Sequence, residues 1–586
     1  MKKWYVSAKK ADFNRIGETF GIDPVIARII RNRDITSDEE IDRFLHPDSG
    51  KMGDAALMAD IDKGATLLLS EIKQHSKLRV IGDYDIDGIS ATFVLLKGIR
   101  ALGGDVDYDI PDRIKDGYGI NRNLIDRAKA AGIEVIITCD NGIAAVDEIS
   151  YAKELGMRVI ITDHHAIPFV EEEGERREIL PDADAVINPH RSDCAYPFKG
   201  LCGALVAYRF MCYTFDCCGA DKTVLDDMYD ILSIATVGDV MDLIGENRTI
   251  VSRGLKQIAS TKNVGLQALI DVNGLSDGPI GVYHIGFVIG PCINAGGRLE
   301  TAKIAVSLLL SEDKAEADAL AKELFELNVT RKDMTLAGVD KAIEEIENNS
   351  YESSKVLVIY IQGCHESLVG IIAGRIREKY YRPVIVLTDG DGAIKGSGRS
   401  IEEYNMFEEL TKCSDLVLKF GGHAMAAGMT LEAENVDALR KRLNDNCTLT
   451  DDDIIEKLKI DVPMPISYIS ESLINQISLL EPFGKGNPKP LFAQKDVWVL
   501  EARIIGRNKN VLKLKMTDGA SPILEGVRFG EDGSFRQFIE DRFGKEEAEK
   551  LFATGSRNIK INVAYYPTIN EYNGRRTINI HVEDYC

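Results

Sequence analysis

The 586-residue sequence has no apolar run approaching the ~18 residues that a membrane-crossing helix needs. Its first ten residues, Met1 to Lys10, are basic and lack the apolar core of a secretion signal, so the expected location is the cytoplasm. Zinc-knuckle spacing is missing too: the eleven cysteines are scattered, and the one adjacent pair is Cys217-Cys218. An odd count with no export signal favours reduced thiols, and no zinc site is expected. Cys139 and Cys292 read as small packing residues beside the motifs described below. A positive excess is also absent. Lys and Arg number 71 against 93 Asp and Glu, a net charge of −22, which argues against coating nucleic acid through bulk electrostatics but leaves room for a locally basic groove. At roughly 100–200 residues per domain, the length suggests three or four domains.

The run Asp83-Tyr84-Asp85-Ile86-Asp87-Gly88 follows a short strand pattern, Leu78 to Ile81, and leads into a helical pattern from Ile89 to Leu96. Three alternating carboxylates on a strand-to-helix turn repel one another, and a divalent cation is the usual remedy; a solvated acidic turn is the plain alternative. Two further β-branched runs also end in acid. Val135 to Thr138 runs into Asp140-Asn141-Gly142, and Val159 to Thr162 runs into Asp163-His164-His165. The alternation of such runs with amphipathic helices from 51 to about 245 predicts parallel βαβ construction, where strand ends gather at one edge and build a site. Asp239, where an apolar helix runs out into Gly-Asp, is a fourth candidate. A mixed carboxylate and imidazole set suits Mn²⁺ or Mg²⁺. Singly, each piece has an ordinary reading: Asp140-Asn141-Gly142 as a turn, Asp163 as a helix cap.

Asp163-His164-His165 is the signature of the DHH phosphoesterase superfamily. The ordered set G-D-Y-D-x-D-G, D-N-G and D-H-H resembles the RecJ exonucleases within it. The wider superfamily has a His four residues before the first metal-binding Asp; here that position is Ile81, and Asp83 is the extra acid that stands to compensate. The resemblance extends to Pro111-Asp112-Arg113 with Gly117-Tyr118-Gly119, and to Pro291-x-x-Asn294-Ala295-x-Gly297-Arg298. It extends further to Leu327-Asn328-x-x-Arg331, Lys395-Gly396-Ser397-Gly398-Arg399-Ser400, Gly421-Gly422-His423 and the Pro/Gly joint Glu481 to Pro490. Taken without the resemblance, Arg113 and Arg298 are surface charges, Arg331 is a solvated helix residue and the glycine runs are hairpins.

The resemblance implies an α/β protein in five parts. Residues 1–50 form an N-terminal helical cap, 51–300 a parallel-sheet DHH lobe, and 301–350 one long linker helix. Residues 351–454 form a second α/β, DHH-associated lobe whose G-G-H turn faces the metal site, and 455–586 an antiparallel OB-type barrel. In the barrel, Lys513, Lys515, Arg575 and Arg576, with Phe529, Tyr566 and Tyr572, fit backbone tracking and base stacking. Asp83, Asp85, Asp87, Asp140, His164 and Asp239 would hold two Mn²⁺ or Mg²⁺ ions, with Asp140 bridging. His165 would touch the scissile phosphate. Arg113, Asn294, Arg298, Ser397, Arg399, Gly421, Gly422 and His423 would contact substrate.

The implied activity is 5′-to-3′ hydrolysis of single-stranded DNA to mononucleotides, in repair and recombination. The expected protein is a monomer that works with a single-strand-binding protein and a helicase. Two alternatives belong to the same superfamily: a phosphodiesterase for cyclic dinucleotides or very short RNAs, and a non-catalytic replication accessory protein. The third domain counts against the first, and the intact set of acids against the second.

Overall fold

The computed structural model describes residues 2–47, 50, 52–172, 175–520, 522–530, 532–572 and 574–586, with the side chains of Glu172, Glu175 and Tyr572 outside that description. It resolves into two compact units. One comprises Pro47–Ile454 with Gly484–Gly486; the other comprises Met1–His46, Ile455–Phe483 and Asn487–Cys586.

The larger unit opens with a doubly covered parallel sheet. Its elements are β1 (Lys77–Ile81), α1 (Ile86–Ala101), β2 (Asp105–Asp109), β3 (Val135–Cys139), β4 (Arg158–Thr162) and β5 (Ala185–Ile187), with strand order β2-β1-β3-β4-β5. Val80, Ile137 and Ile160 are fully buried, as expected of central strands covered on both faces. The register pairs Ile81 with Thr138 and Cys139 with Thr162, so the segments after β1, β3 and β4 leave the sheet at one level. Helices α2 (Gly203–Cys218), α3 (Tyr229–Gly238) and α4 (Gly290–Leu299) are among those that flank it in this lobe.

The 301–350 stretch is not one helix. Lys303–Leu310 ends at Ser311, and α5 (Lys314–Asn348) starts afresh. The Asp313 carboxylate caps α5 by accepting from the Glu316 N–H, and the Ser311 hydroxyl donates to Glu316 at 2.6 Å. These local bonds compete with the helix ladder and break it. Beyond α5 lies a second sheet built from β6 (Leu357–Tyr360), β7 (Val384–Asp389), β8 (Ile394–Arg399), β9 (Lys419–His423) and β10 (Ala426–Leu431) in the order β9-β10-β8-β7-β6. Helix α6 (Val369–Tyr380) connects β6 to β7.

In the smaller unit, β11 (Val462–Pro463), β12 (Phe492–Ile505), β13 (Val511–Thr517), β14 (Leu524–Phe529), β15 (Lys560–Tyr572) and β16 (Arg575–Tyr585) run in the order β11-β12-β13-β14-β16-β15, and a β12–β15 pairing closes the barrel. The barrel departs from the expected all-antiparallel pattern at β11–β12 and β14–β16, which are parallel. The N-terminal helices Phe13–Phe20, Pro24–Asn32 and Asp38–Leu45 pack here. Ile26, Ile29, Ile30 and Phe44 share a core with Val462, Leu473, Ile477 and Leu480. Each such side chain contributes about 1.5–3 kcal/mol through burial. Arg33 reaches Asp461 at 3.1 Å and Asn487 at 2.6 Å, which fixes the join.

Candidate metal centre and phosphate cleft

Seven sequence-predicted residues meet at the carboxyl edge of the parallel sheet. One ligand atom each from Asp83, Asp85 and Asp140 lies within 4.8 Å of the others, and the same holds for Asp87, His164 and Asp239, and for Asp140, His164 and His165. Local structure explains each placement. Asp85 caps α1, one oxygen accepting from the N–H groups of Asp87 (3.0 Å) and Gly88 (3.1 Å). Asp87 accepts from Gly203 (2.5 Å) and Ala204 (2.8 Å) at the start of α2, a helix end that favours negative charge. Asp140 sits at φ +60°, a left-handed conformation that costs a non-glycine residue roughly 1–3 kcal/mol and gathers at functional sites. Asp239 is the residue that ends α3.

Electrostatics give this cluster its chemistry. Burial, and then repulsion from neighbouring carboxylates, pushes Asp83 and Asp140 well above the usual range and raises Asp85. Burial, followed by Asp87 and Asp85, pushes Asp239 up to about 8. Asp83 Oδ1 and Asp140 Oδ1 are buried without a hydrogen-bond partner, although His164 Nε2 lies 3.1 Å from the latter. Oxygen and imidazole donors that converge, repel and remain unsatisfied fit a hard divalent cation. Ile81, at the superfamily His position, is fully buried, and its carbonyl accepts from Asn141 Nδ2 at 3.1 Å; Asp83 is the residue that faces the other acids.

Several contributors were not among the predicted site residues. Asp163 accepts from the N–H groups of Ile143 (2.9 Å), His164 (2.7 Å) and His165 (3.1 Å) and holds His165 Nδ1 at 2.8 Å. Burial works against protonation of His165, but the Asp163 contact outweighs it and sets the imidazole at about 9. The Tyr118 hydroxyl donates to the Asp140 carbonyl at 2.9 Å and lies 3.2 Å from His165 Nε2. Asp163 and Tyr118 stand inside the D-H-H and G-Y-G runs, so a signal existed. Gly203 had none, because nothing in its local sequence ties it to Asp87.

A cleft of about 580 Å³ adjoins this cluster, lined by Tyr84, Arg113, Arg298, Ser397 and Arg399 among others. The Pro291–Arg298 motif is helical. Arg298 stands in the last turn of α4 and donates to the Ser367 carbonyl at 2.8 Å, so it does not face bulk solvent. Burial, then Arg113 and Arg331, pushes Arg298 down to about 10. The Arg113 guanidinium lies 4.5 Å over the Tyr84 ring. Arg331 is held by Asn328 Oδ1 at 2.9 Å. Asn294 lies one turn before Arg298 on α4 and does not line the cleft. The two glycine runs are strands, not turns: Ser397 on β8 pairs with Gly428 on β10, which pairs with Gly421 on β9. Gly421, Gly422 and His423 therefore lie on the edge strand, outside the cleft lining. At Gly422 a Cβ would collide with the Ala426 carbonyl, so this strand requires glycine there.

On the barrel, Lys513, Val527, His581 and Tyr566 form one outward row across four strands. Phe529 is exposed and stacks on His581 at 5.5 Å, and Lys489 lies 3.7 Å over Tyr566. Lys513 and Lys515 are ion-paired to Glu525 (2.9 Å) and Glu501 (2.8 Å). Arg576 lies 3.4 Å from Glu471, and Arg575 is exposed. The Tyr572 side chain lies outside the described residues.

The two lobes around the acid cluster and the cationic cleft define a phosphoesterase of the DHH class. Family models described as DHH family, N-terminal domain, DHHA1 domain and RecJ OB domain match residues 77–236, 353–448 and 460–584. The single-stranded-DNA-specific exonuclease RecJ of Bacillus subtilis is 36% identical over 99% of this chain and 70% of its own length. That of Salmonella typhimurium is 32% identical over 96% of each. The crystal structure of RecJ in complex with Mn²⁺ from Thermus thermophilus superposes with a TM-score of 0.81 at 26% identity, over 100% of this chain and 79% of that one. The chain belongs to the RecJ family. Among the described residues, no helix is long and apolar enough to cross a membrane.

The raised carboxylates carry a pH prediction. In the metal-free protein, Asp83, Asp85, Asp140 and Asp239 favour folding while protonated, and that contribution is lost as pH rises through their raised values, for Asp239 toward about 8. His165 adds to this loss, because its contribution is full below about 6.5 and falls as pH climbs toward about 9, whereas that of Asp163 is lost only in acid, below a window of pH 6 to 8. A divalent cation replaces the protons. The gain in melting temperature from saturating Mn²⁺ over EDTA should therefore grow across that window, by several degrees at its upper end. A gain independent of pH in thermal melts would contradict the assignment.

Proposed function

We propose that the chain is a metal-dependent exonuclease that removes mononucleotides from the 5′ end of single-stranded DNA. Its Bacillus and Salmonella relatives are named for single-stranded-DNA-specific exonuclease activity, and the Thermus relative was crystallised with Mn²⁺. One observation carries the end-directed reading: Tyr84 lines the cationic cleft while its neighbours Asp83 and Asp85 belong to the acid cluster. A terminal phosphate held in the cleft thereby leaves the next phosphodiester at the carboxylates.

Asp83, Asp85 and Asp140 would hold one Mn²⁺ or Mg²⁺ ion, and Asp87, His164 and Asp239 a second, with Asp140 shared. When bound, such ions supply Lewis-acid charge and lower the pKa of water. The chain's own residues do the rest. Arg113, Arg298, Ser397 and Arg399 bind the 5′-phosphate, with the arginines suited to planar, paired contacts. His165, kept protonated by Asp163, donates to the scissile phosphate. The outward barrel face with Phe529, His581, Tyr566 and Lys489 supplies rings and charge for stacking the trailing strand.

The test compares a linear 3′-labelled strand carrying a 5′-phosphate with its duplex, a circular single strand and a cyclic dinucleotide in Mn²⁺. Loss from the 5′ end of the linear strand, with the circle intact, is expected. Rapid cutting of circles would refute end binding in the cleft, and hydrolysis of the dinucleotide alone would move the protein to the small-substrate class.

A further inference from the structure

The cleft holds more positive charge than a terminal monophosphate uses. Arg113, Lys115, Arg298, Lys395 and Arg399 line it, and among the described residues none of the five has a carboxylate oxygen within 4.0 Å. Glu366 and Asp391 also line it, leaving a formal surplus of three positive charges, against about −2 for a phosphate monoester. Unpaired cations stand out in a protein whose acids outnumber its bases 93 to 71. The volume of about 580 Å³ likewise exceeds the needs of one phosphoryl group.

The shape of the lining indicates what fills it. Along β8, Arg399, Ser397 and Lys395 share a face, while a Cβ at Gly396 or Gly398 would point away, toward Leu387 or Met406. At about 3.3 Å per residue, the row runs roughly 13 Å, with a cation at each end and a hydroxyl between. Gly370 of α6 approaches the row so closely that a Cβ there would lie 2.8 Å from Arg399 Nη2 and 3.0 Å from Ser397 Oγ. On the β10 side the lining residue is Met429, which is apolar. The result is a slot, confined by α6 on one side and uncharged on the other, that suits an unbranched chain of anionic groups.

We propose that this cleft takes a linear di- or triphosphate ester, as carried by a 5′-triphosphorylated strand or a free nucleoside triphosphate. Arg113, Arg298, Ser397 and Arg399 hold the phosphate nearest the nucleoside, and Lys395 and Lys115 take those beyond it. The inference rests on the 5′-phosphate reading above and goes past it by naming the outer cations.

Calorimetric titration of the full chain in EDTA at 0.15 M salt tests it, with inorganic phosphate, pyrophosphate, tripolyphosphate and citrate as probes. Tripolyphosphate should bind at least about tenfold tighter than phosphate, and citrate, charged but branched, within about threefold of phosphate. Lys395→Ala, checked for an unchanged circular dichroism spectrum, should collapse the tripolyphosphate-to-phosphate ratio to less than about threefold. Tripolyphosphate no tighter than phosphate, citrate as tight as tripolyphosphate, or a ratio that survives Lys395→Ala overturns the proposal. Failure of phosphate alone would instead remove the monophosphate reading and leave a polyphosphate site. Competition between a 5′-triphosphorylated oligonucleotide and a nucleoside triphosphate then separates the sources: a tighter strand marks end recognition, and equal affinity marks the free nucleotide.

Discussion

Asp140→Asn should lower hydrolysis of single-stranded DNA by on the order of 10³-fold or more while leaving the protein folded. The residue occupies the centre of the acid cluster and belongs to two of its three ligand groupings. Removing its charge leaves each proposed ion without a shared donor. Asparagine is the replacement that keeps the backbone, because it tolerates the left-handed conformation seen at φ +60° and can still present a side-chain oxygen. Alanine at that position adds strain and would confuse a folding defect with a chemical one. The metal-free variant should melt no lower than the wild type, since one buried carboxylate among several has been neutralised. Steady-state rates in Mn²⁺ and in Mg²⁺, beside thermal melts in EDTA, measure both effects. Activity within tenfold of wild type with either ion would remove Asp140 from the centre of the mechanism.

Gly88→Ala should damage the site through a single added methyl group. Gly88 lies in the first turn of α1, where alanine normally stabilises a helix by up to about 1 kcal/mol. Here the added Cβ would stand 2.6 Å from both the backbone N and the backbone O of Asp83. A backbone neighbour cannot rotate away as a side-chain end can, so the strand-to-helix turn must shift. The expected cost is about 1–3 kcal/mol of stability. A displacement of about 1 Å in Asp83 and Asp85 would add a loss of roughly 10²-fold in rate. Gly374→Ala in α6 is the control: its Cβ would meet nothing within 4 Å, and stability should hold or rise. Chemical denaturation and turnover of the two variants, run side by side, distinguish a specific clash from a general effect of the extra methyl group.

Much of this site could be read from local sequence. The three runs that end in Asp83-Tyr84-Asp85, Asp140 and Asp163-His164-His165 combine strand periodicity with acids just past the strand end. In a parallel sheet that pattern alone sends every acid to one edge. The Lys395–Arg399 run, by contrast, reads as a glycine-rich hairpin, and only the structure makes it a strand with its charged side chains on one face. What local pattern could not supply was anything that depends on a distant backbone. The break at Ser311–Asp313 is different, since it rests on local bonds to Glu316, and Asp313 with Glu316 three residues on is itself a helix-start pattern. The G-G-H run looked like a turn until pairing with Ala426–Gly428 made it an edge strand. The role of Gly203, whose N–H holds Asp87, arises across more than a hundred residues of chain and leaves no periodic trace.

The sequence by itself determined the strand-end acids and the βαβ order, because side-chain alternation and turn chemistry act over a few residues. Only the tertiary structure decided which acids share a site, how far each carboxylate is raised, and that Tyr84 faces a cleft of unpaired cations. Those properties come from burial and from Coulomb interactions through a low-dielectric interior, and both depend on which segments the fold brings within a few ångströms.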